Sequence, residues 1–466
     1  MDSPTITIYI TNYNYEKYIA QAIESVLSQS FQNFELFIID DGSTDNSREI
    51  IESYSGHPQI NIIYQQNKGL NITNNIALRL ARGQYIMRLD ADDYLVADAL
   101  EKMVNVLESD PELGMVFPDY YLVDAKNNTI AEVKRHDFNQ EVALFDQPAH
   151  GAVTMIRTAS LKAVGGYDES YSCQDGYELW IKFISKFKVT NVKELLFYYR
   201  QHGENLTTNE NRILDTRRAI NDSFVQKNAI SIPNTIAIIP VRATKISGEI
   251  LAFTELAGKK IIDIKIEALL EAQHLKAVVL TSSIPEIKAY IQTTYANENR
   301  VIFIDRPIEL ARYNVSLVGT IQHILDQKII KNLALEAFMI LPIEYIFLNG
   351  TVIDDAINAL EIFKADSLIS VRPEYSSFYQ HHGNGMVSIL EQQENFTQLE
   401  REALFKGTGG IQLTKLAAFN QEEKILSGKV GHIVVDQQTG LGIFSGFDLR
   451  VARMLLNEKQ LLNVSK

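Results

Sequence analysis

Tyr85-Ile86-Met87-Arg88-Leu89-Asp90-Ala91-Asp92-Asp93 is the stretch whose reading decides the fold. Its first half is a short apolar run of strand length, and its second half is a cluster of acids. A strand that ends in spaced acids puts hard oxygen ligands at the carboxyl edge of a sheet, which is where open α/β sheets bind ligands. Mg²⁺ and Mn²⁺ are held by one or two carboxylates and completed by substrate phosphates, so the cluster points to a metal-bridged nucleotide. Acids in this position also serve as a solvated turn or a helix cap. A second pair, Asp40-Asp41, follows the run Leu36-Phe37-Ile38-Ile39, and two such strand ends in one region favour the ligand reading.

Outward from these two points, apolar runs alternate with helical patterns. Ile6 to Ile10 reads as a strand. Ile19, Ile23, Val26 and Leu27 share one helical face between Glu16 and Ser30. Asp41-Gly42-Ser43-Thr44-Asp45-Asn46 is turn and cap chemistry ahead of a helix through Ile50 and Ile51. A strand at Ile62 to Tyr64, a helix at Ile72 to Ala81, and a helix carrying Leu100, Met103, Val104 and Leu107 before Met115-Val116-Phe117 complete the pattern. This alternation predicts a mostly parallel, doubly wound α/β sheet. The pattern breaks near residues 226–234, with Ser231 and Pro233, and restarts at Ile236-Ala237-Ile238-Ile239-Pro240. Further strands are expected at Ala277 to Leu280, Val301 to Ile304, Phe338 to Leu341 and Ser367 to Val371. The expected organisation is a first domain over 1–225, a linker over 226–234 and a second α/β domain over 235–466.

With 466 residues, the chain has room for two or three domains. The net charge of −14 argues against non-specific nucleic-acid binding and disfavours attachment to an anionic bilayer, though a local basic patch would permit peripheral association. A single cysteine, Cys173, excludes an internal disulfide framework and fits a reducing cytosol. No apolar run reaches 18 residues, and Met1-Asp2-Ser3-Pro4 does not read as a secretory leader; the expectation is a cytoplasmic protein.

Residues 5 to about 210 resemble family two glycosyltransferases of the GT-A fold. The resemblance rests on an ordered set: Thr11-Asn12-Tyr13-Asn14, Ile39-Asp40-Asp41-Gly42-Ser43-Thr44-Asp45, Asn67-Lys68-Gly69 and Gly83-Gln84-Tyr85-Ile86. It continues through Asp90-Ala91-Asp92-Asp93, Gly165-Gly166-Tyr167-Asp168-Glu169, Gln174-Asp175, Leu179-Trp180 and Tyr199-Arg200-Gln201-His202. It implies an inverting hexosyl transfer that uses Mn²⁺ or Mg²⁺ and a UDP-sugar donor. The acceptor would be a glycan, a lipid-linked glycan or a protein, in the setting of bacterial surface glycans.

Under this resemblance Thr11 and Tyr13 line the base pocket, and Asp41 accepts the imide N–H of a uracil. Asp92 holds the metal, with Asp90, Asp93 and His202 beside the nucleotide sugar; Asp90 and His202 are further metal candidates. Asp175 is the general base, a task that suits a carboxylate within hydrogen-bond reach of the acceptor hydroxyl. Read as plain residues, Asp175 is a helix cap, His202 a surface histidine, Trp180 a core residue and Cys173 a bystander. Asn74-Asn75 replaces the Arg-Asn pair usual in the family, which puts a phosphate or base contact in question.

Residues 235–456 resemble cytidylyltransferases that activate sialic acid-type sugars. The residues that carry this are Ile238-Ile239-Pro240-Val241-Arg242, Leu256-Ala257-Gly258-Lys259, Asp366-Ser367-Leu368-Ile369-Ser370-Val371 and Asp448-Leu449-Arg450-Val451-Ala452. The phosphate loop is replaced by Ala243-Thr244-Lys245-Ile246-Ser247-Gly248-Glu249-Ile250-Leu251, and the metal-ligand motif by Gly442-Ile443-Phe444. Where the family carries a polar Gln-Pro-Thr-Ser-Pro-Leu-Arg stretch, this chain has Pro342-Ile343-Glu344-Tyr345-Ile346-Phe347-Leu348. The expectation is a Rossmann-like nucleotidyltransferase-type domain without catalysis, which binds a sugar or acceptor or forms a homo-oligomer. The alternatives are a bifunctional enzyme that activates and transfers a sugar, and a silent nucleotide-sugar-binding scaffold.

Overall fold

The computed structural model describes residues 3–134, 151–171, 173–202, 210–246, 248–374, 376, 378–383, 385–388 and 404–464. Ser247 of the replaced phosphate loop lies outside the described residues. The chain divides into two compact units, one over 1–217 with 377–402 and the other over 218–376 with 403–466.

In the first unit four parallel strands lie side by side: β1 (Ile6–Asn12), β2 (Phe34–Asp40), β3 (Ile60–Tyr64) and β4 (Tyr85–Asp90), in the order β3-β2-β1-β4. β2 is buried along its whole length, which explains its near-continuous apolar sequence. Glu35, the charge inside it, accepts from Thr7 Oγ1 at 2.7 Å and from Arg82 Nε at 2.7 Å. The helices α1 (Ile19–Leu27), α2 (Ser47–Glu52) and α3 (Leu70–Leu80) connect these strands. Ile19, Ile23 and Val26 of α1 pack into the same core as Ile6, Ile8, Leu36 and Ile38.

Beyond β4 the sheet is mixed. It continues through β5 (Tyr94–Leu95), β6 (Leu113–Val123), β7 (Thr129–Val133), β8 (Met155–Arg157) and β9 (Lys188–Arg200), in the spatial order β4-β8-β6-β9-β5 with β7 on β6. β8 runs antiparallel to both β4 and β6, and β5 antiparallel to β9. β6 and β9 are parallel to each other and run in the same sense as β1–β4, so the expectation of a mostly parallel sheet holds, with β5, β7 and β8 as the antiparallel strands. Strand β6 also runs on to Val123, six residues past the expected end at Phe117.

Strand register decides where the acids fall. Asn12 pairs with Asp40, and Thr11 with Asp90. The last residues of three adjacent parallel strands thus stand level at one edge. After β8, α5 (Thr158–Ala163) leads to a turn and then to α6 (Asp175–Ile184), which buries Trp180 against Phe117. Trp180 is a core residue.

The second unit has its own seven-stranded sheet. Its order is Val301–Asp305, Leu275–Ser282, Thr235–Pro240, Ala337–Ile340, Leu404–Lys415, Ser367–Glu374, Val430–Val434. The first four are parallel to one another, and Leu404–Lys415 is antiparallel to both its neighbours. Ile236, Ile238, Val279, Phe338 and Ile340 form one core here.

Candidate functional site

The level edge of β1, β2 and β4 builds the site. Asp40 is buried and spent on structure: Asn12 Nδ2 donates to its Oδ1 at 2.8 Å, and the Ser43 backbone N–H donates to its Oδ2. The chain can turn away here because Gly42 has φ of +85°, and a Cβ on it would stand 2.8 Å from the backbone nitrogen of Asn67. That turn presents Asp41 to the loop 65–69. Asp41 Oδ1 accepts from Gln65 Nε2 at 2.7 Å and from Lys68 N at 2.9 Å, and its Oδ2 accepts from Gly69 N at 3.0 Å. A carboxylate has about four acceptor positions, so one on Oδ2 is left for a ligand. Tyr13 has its side chain in solvent at the same edge, 45% exposed.

Around β4 four acids and two cations are interleaved. Thr11 Oγ1 donates to Asp90 Oδ1 at 3.1 Å. Arg88 is buried; its Nε lies 2.9 Å from Asp90 Oδ1, and its Nη1 donates to Asp175 Oδ2 at 2.6 Å. Burial opposes the Arg88 charge, but Asp90 and Asp175 outweigh it and hold its pKa above the ordinary arginine value. Asp92 follows on the turn after β4, and its Oδ2 is 2.9 Å from His202 Nε2. The imidazole is stacked on Tyr18 and edge-on to Tyr15, both centroids at 5.6 Å. Asp93 Oδ1 accepts the Arg200 backbone N–H, while its Oδ2 is buried and has no partner.

The electrostatics follow from this crowding. Burial raises the Asp90 pKa against the pull of Arg88. Burial first, then the charges of Asp92 and Asp90, push Asp93 well above the usual carboxylate range. Like charges gathered in a low-dielectric pocket resist ionising together, so a cation here relieves the strain. Asp92 and His202 offer one oxygen and one nitrogen that converge. Among the described residues no group of three or more His, Cys, Asp or Glu is arranged to hold a metal. The residues fit a divalent cation whose remaining positions are supplied by a diphosphate.

The structure brings Thr11, Asp90, Asp92, Asp93, Asp175 and His202 into this network, while Asp41 is tied to the loop 65–69. Two residues that matter were not singled out from the sequence. Arg88 was read only as part of a strand. Arg200 is buried at the end of β9; its guanidinium donates to Asp92 O at 2.7 Å, Asn127 Oδ1 at 2.6 Å and Gln21 Oε1 at 2.8 Å. The signal for Arg88 was a charge among apolar strand residues, which is not buried without partners; Arg200 closes a strand that carries other charges, and no such signal marked it.

Asn74 and Asn75 also have definite places. Asn74 accepts from the Tyr9 hydroxyl at 3.1 Å, and Asn75 pairs with both the backbone N–H and the carbonyl of Tyr167. Asn75 braces the segment ahead of Asp175, while Asn74 is tied to β1. Cys173 Sγ is 3.1 Å from Thr216 Oγ1.

A parallel half-sheet whose strand ends carry Asp40-Asp41 and Asp90-x-Asp92, with an acid at the start of a following helix, has the arrangement of a GT-A-like glycosyltransferase fold. Residues 7–164 match the model of glycosyl transferase family 2. An uncharacterized glycosyltransferase of Methanocaldococcus jannaschii is 30% identical over 209 residues, 43% of this chain and 72% of that protein. The chain belongs to glycosyl transferase family 2.

Chondroitin synthase of Escherichia coli is 32% identical over 203 residues, 43% of this chain; the match spans only 30% of that relative's length. The solved structure of S. aureus TarS 1–349 in complex with UDP-GlcNAc matches 47% of this chain and 66% of that one, at 19% identity and a TM-score of 0.41. Among the described residues no helix is long and apolar enough to cross a membrane.

Proposed function

We propose that the first domain, residues 1–225, is a metal-dependent, inverting glycosyltransferase that moves a hexosyl group from a UDP-sugar to a hydroxyl of a glycan, lipid-linked glycan or protein. The observation that carries this reading is the pairing of Asp92 with His202 beside an Arg88-held Asp175, all at the carboxyl edge of the parallel strands. Tyr13 stacks on the base, Thr11 lines its pocket, and the free acceptor position of Asp41 Oδ2 takes the uracil imide N–H. Asp92 and His202 hold Mn²⁺ or Mg²⁺, with Asp90 and Asp93 adding negative charge around it. The ion, when bound, neutralises charge that develops on the departing nucleotide. Asp175 takes the proton of the acceptor hydroxyl at a carboxylate oxygen, and attack opposite the leaving diphosphate inverts the anomeric centre. The chondroitin synthase relative supports a glycan acceptor, and bacterial surface glycan assembly at the cytoplasmic side is the setting we favour.

The second domain, residues 235–466 after a linker at 226–234, is in our reading a cytidylyltransferase-like pseudoenzyme. Leu251, at the position of a phosphate-binding lysine, is buried. Where the metal-ligand motif would stand, Phe444 packs edge-on to Tyr345 at 5.8 Å, and a Cβ on Gly442 would stand 2.4 Å from the Phe444 ring. Its role would be to pair two copies of the chain or to hold an acceptor.

The test is calorimetry of the full chain with UDP. Binding is expected with Mn²⁺, to weaken with chelator, and to weaken in Asp92→Ala. Equal affinity under all three conditions sinks the assignment. Turnover is then sought as UDP release from UDP-glucose, UDP-galactose, UDP-N-acetylglucosamine and UDP-glucuronate.

A further inference from the structure

Arg88 sits in the middle of the site, yet none of the roles above uses it. It lies on β4, two residues before Asp90, and Ile86, Met87 and Leu89 around it are apolar. Its guanidinium spans two acids from different parts of the chain: Asp90 on its own strand, and Asp175 at the first position of α6. Among the described residues, Arg88 is the side chain that holds the Asp175 carboxylate. The preceding residue, Gln174, is in a left-handed conformation with φ of +61°, so the chain turns sharply into the helix just before the carboxylate.

The Arg88 side chain is itself confined. The Val153 backbone N–H donates to the Arg88 carbonyl at 2.7 Å. The main chain at Gly151 lies directly over the guanidinium: a Cβ there would be 2.6 Å from Arg88 Nη2 and 3.3 Å from Asp175 Oδ2. A side chain at residue 151 would therefore displace the fork where it meets the Asp175 carboxylate.

We propose that Arg88 is a positioning residue that sets Asp175 against the donor side of the site by holding it and Asp90 on one rigid guanidinium. This rests on the reading of Asp175 as the base. The competing explanation is that Arg88 merely neutralises buried acids and stabilises the fold. The two differ in what a lysine can replace. An ammonium keeps the charge but is a point donor, and it does not reproduce a fork that spans two carboxylates. Misplacing a catalytic group by about 1 Å can cost about a hundredfold in rate.

The experiment compares Arg88→Lys, Gly151→Ala, Asp175→Asn and Arg88→Lys/Asp175→Asn in the full chain. The readouts are UDP affinity in Mn²⁺ by calorimetry, and UDP release from the four UDP-sugars above with water as acceptor. Arg88→Lys is expected to lower kcat about a hundredfold and to leave UDP affinity within about threefold. Gly151→Ala keeps both charges and crowds the fork where it meets the Asp175 carboxylate, so it is expected to lower kcat in the same way; it carries the test if the lysine variant fails to fold. The double variant is expected to be no slower than Asp175→Asn alone, because residues that act through one another are not additive. Removing a general base costs about a hundred- to ten-thousand-fold, which leaves residual turnover to measure.

Wild-type rates in both Arg88→Lys and Gly151→Ala overturn the proposal. So does a double variant slower than Asp175→Asn by the full Arg88→Lys factor, and so does a tenfold or greater loss of UDP affinity in Arg88→Lys. Full activity in Asp175→Asn removes the base assignment and this inference together. No UDP release by the wild type from any of the four sugars defeats the transferase reading itself.

Discussion

Lys265 of the second unit makes a measurable demand on the fold. It lies on the helix Ile261–Leu270, is fully buried, and donates from Nζ to the Tyr345 carbonyl at 2.8 Å. Burial lowers its pKa from 10.5 to about 7, with Glu344 pulling weakly the other way. The unfolded chain, with an ordinary lysine, then holds one more proton than the folded chain between about pH 7 and pH 10.5. Stability contributed by this residue is lowest below pH 7 and rises through that window, by about 1.4 kcal/mol per pH unit. Lys265→Met removes the titration. The variant gives up a hydrogen bond worth about 1 kcal/mol but no longer buries a charge. It is therefore expected to be the more stable form near pH 6.5, and the wild type to regain about 3 kcal/mol on it by pH 9.5. Urea unfolding by far-UV circular dichroism measures the gap. Fluorescence of Trp180, the sole tryptophan and a residue of the first unit, follows that unit separately. Stability differences that stay parallel across this range would show that Lys265 remains charged in the fold, and the reasoning would be refuted.

The first unit gives further expectations. Tyr13→Ala is expected to leave thermal unfolding unchanged, since the ring is exposed, and to weaken UDP binding by about 1–3 kcal/mol, the range for base–aromatic stacking; unchanged affinity by calorimetry removes Tyr13 from the base pocket. Arg200→Leu strips donors from Asp92 O, Asn127 and Gln21 at once. It is expected to cost about 3 kcal/mol in stability, and a neutral result in chemical unfolding would contradict the contacts described. Gly42→Ala forces a Cβ against the Asn67 nitrogen at a positive φ, with an expected loss of about 1–3 kcal/mol and weaker UDP binding, because Asp41 and the loop 65–69 move together. The full chain incubated with CTP, Mg²⁺ and a nonulosonic acid is expected to release no pyrophosphate; steady release above background overturns the pseudoenzyme reading.

The strand-end acids could be read from sequence because each lies one or two positions past an apolar run, and parallel register carries such positions to a common edge whatever the rest of the chain does. Asp40 and Asp90 share that edge for this reason. The antiparallel strands were not readable in the same way. β8 has three residues, and its place between β4 and β6 is set by pairing with segments about 40 and 70 residues away, not by local pattern. Asp41 shows a different limit: its position was legible, but the three donors that brace it come from residues 65, 68 and 69, and a local reading assigns it to ligand alone. Arg88 shows the sharpest one. Its partner Asp175 is 87 residues along the chain, so no window of sequence contains the pair. What a window does contain is an unexplained cation in a buried strand. Desolvating an unpaired guanidinium costs more than one strand's packing returns, so the strand itself required two acids to converge on it. One was already visible at Asp90. The second had to come from elsewhere in the fold, and a helix-start aspartate after a sharp turn was the group free to reach it.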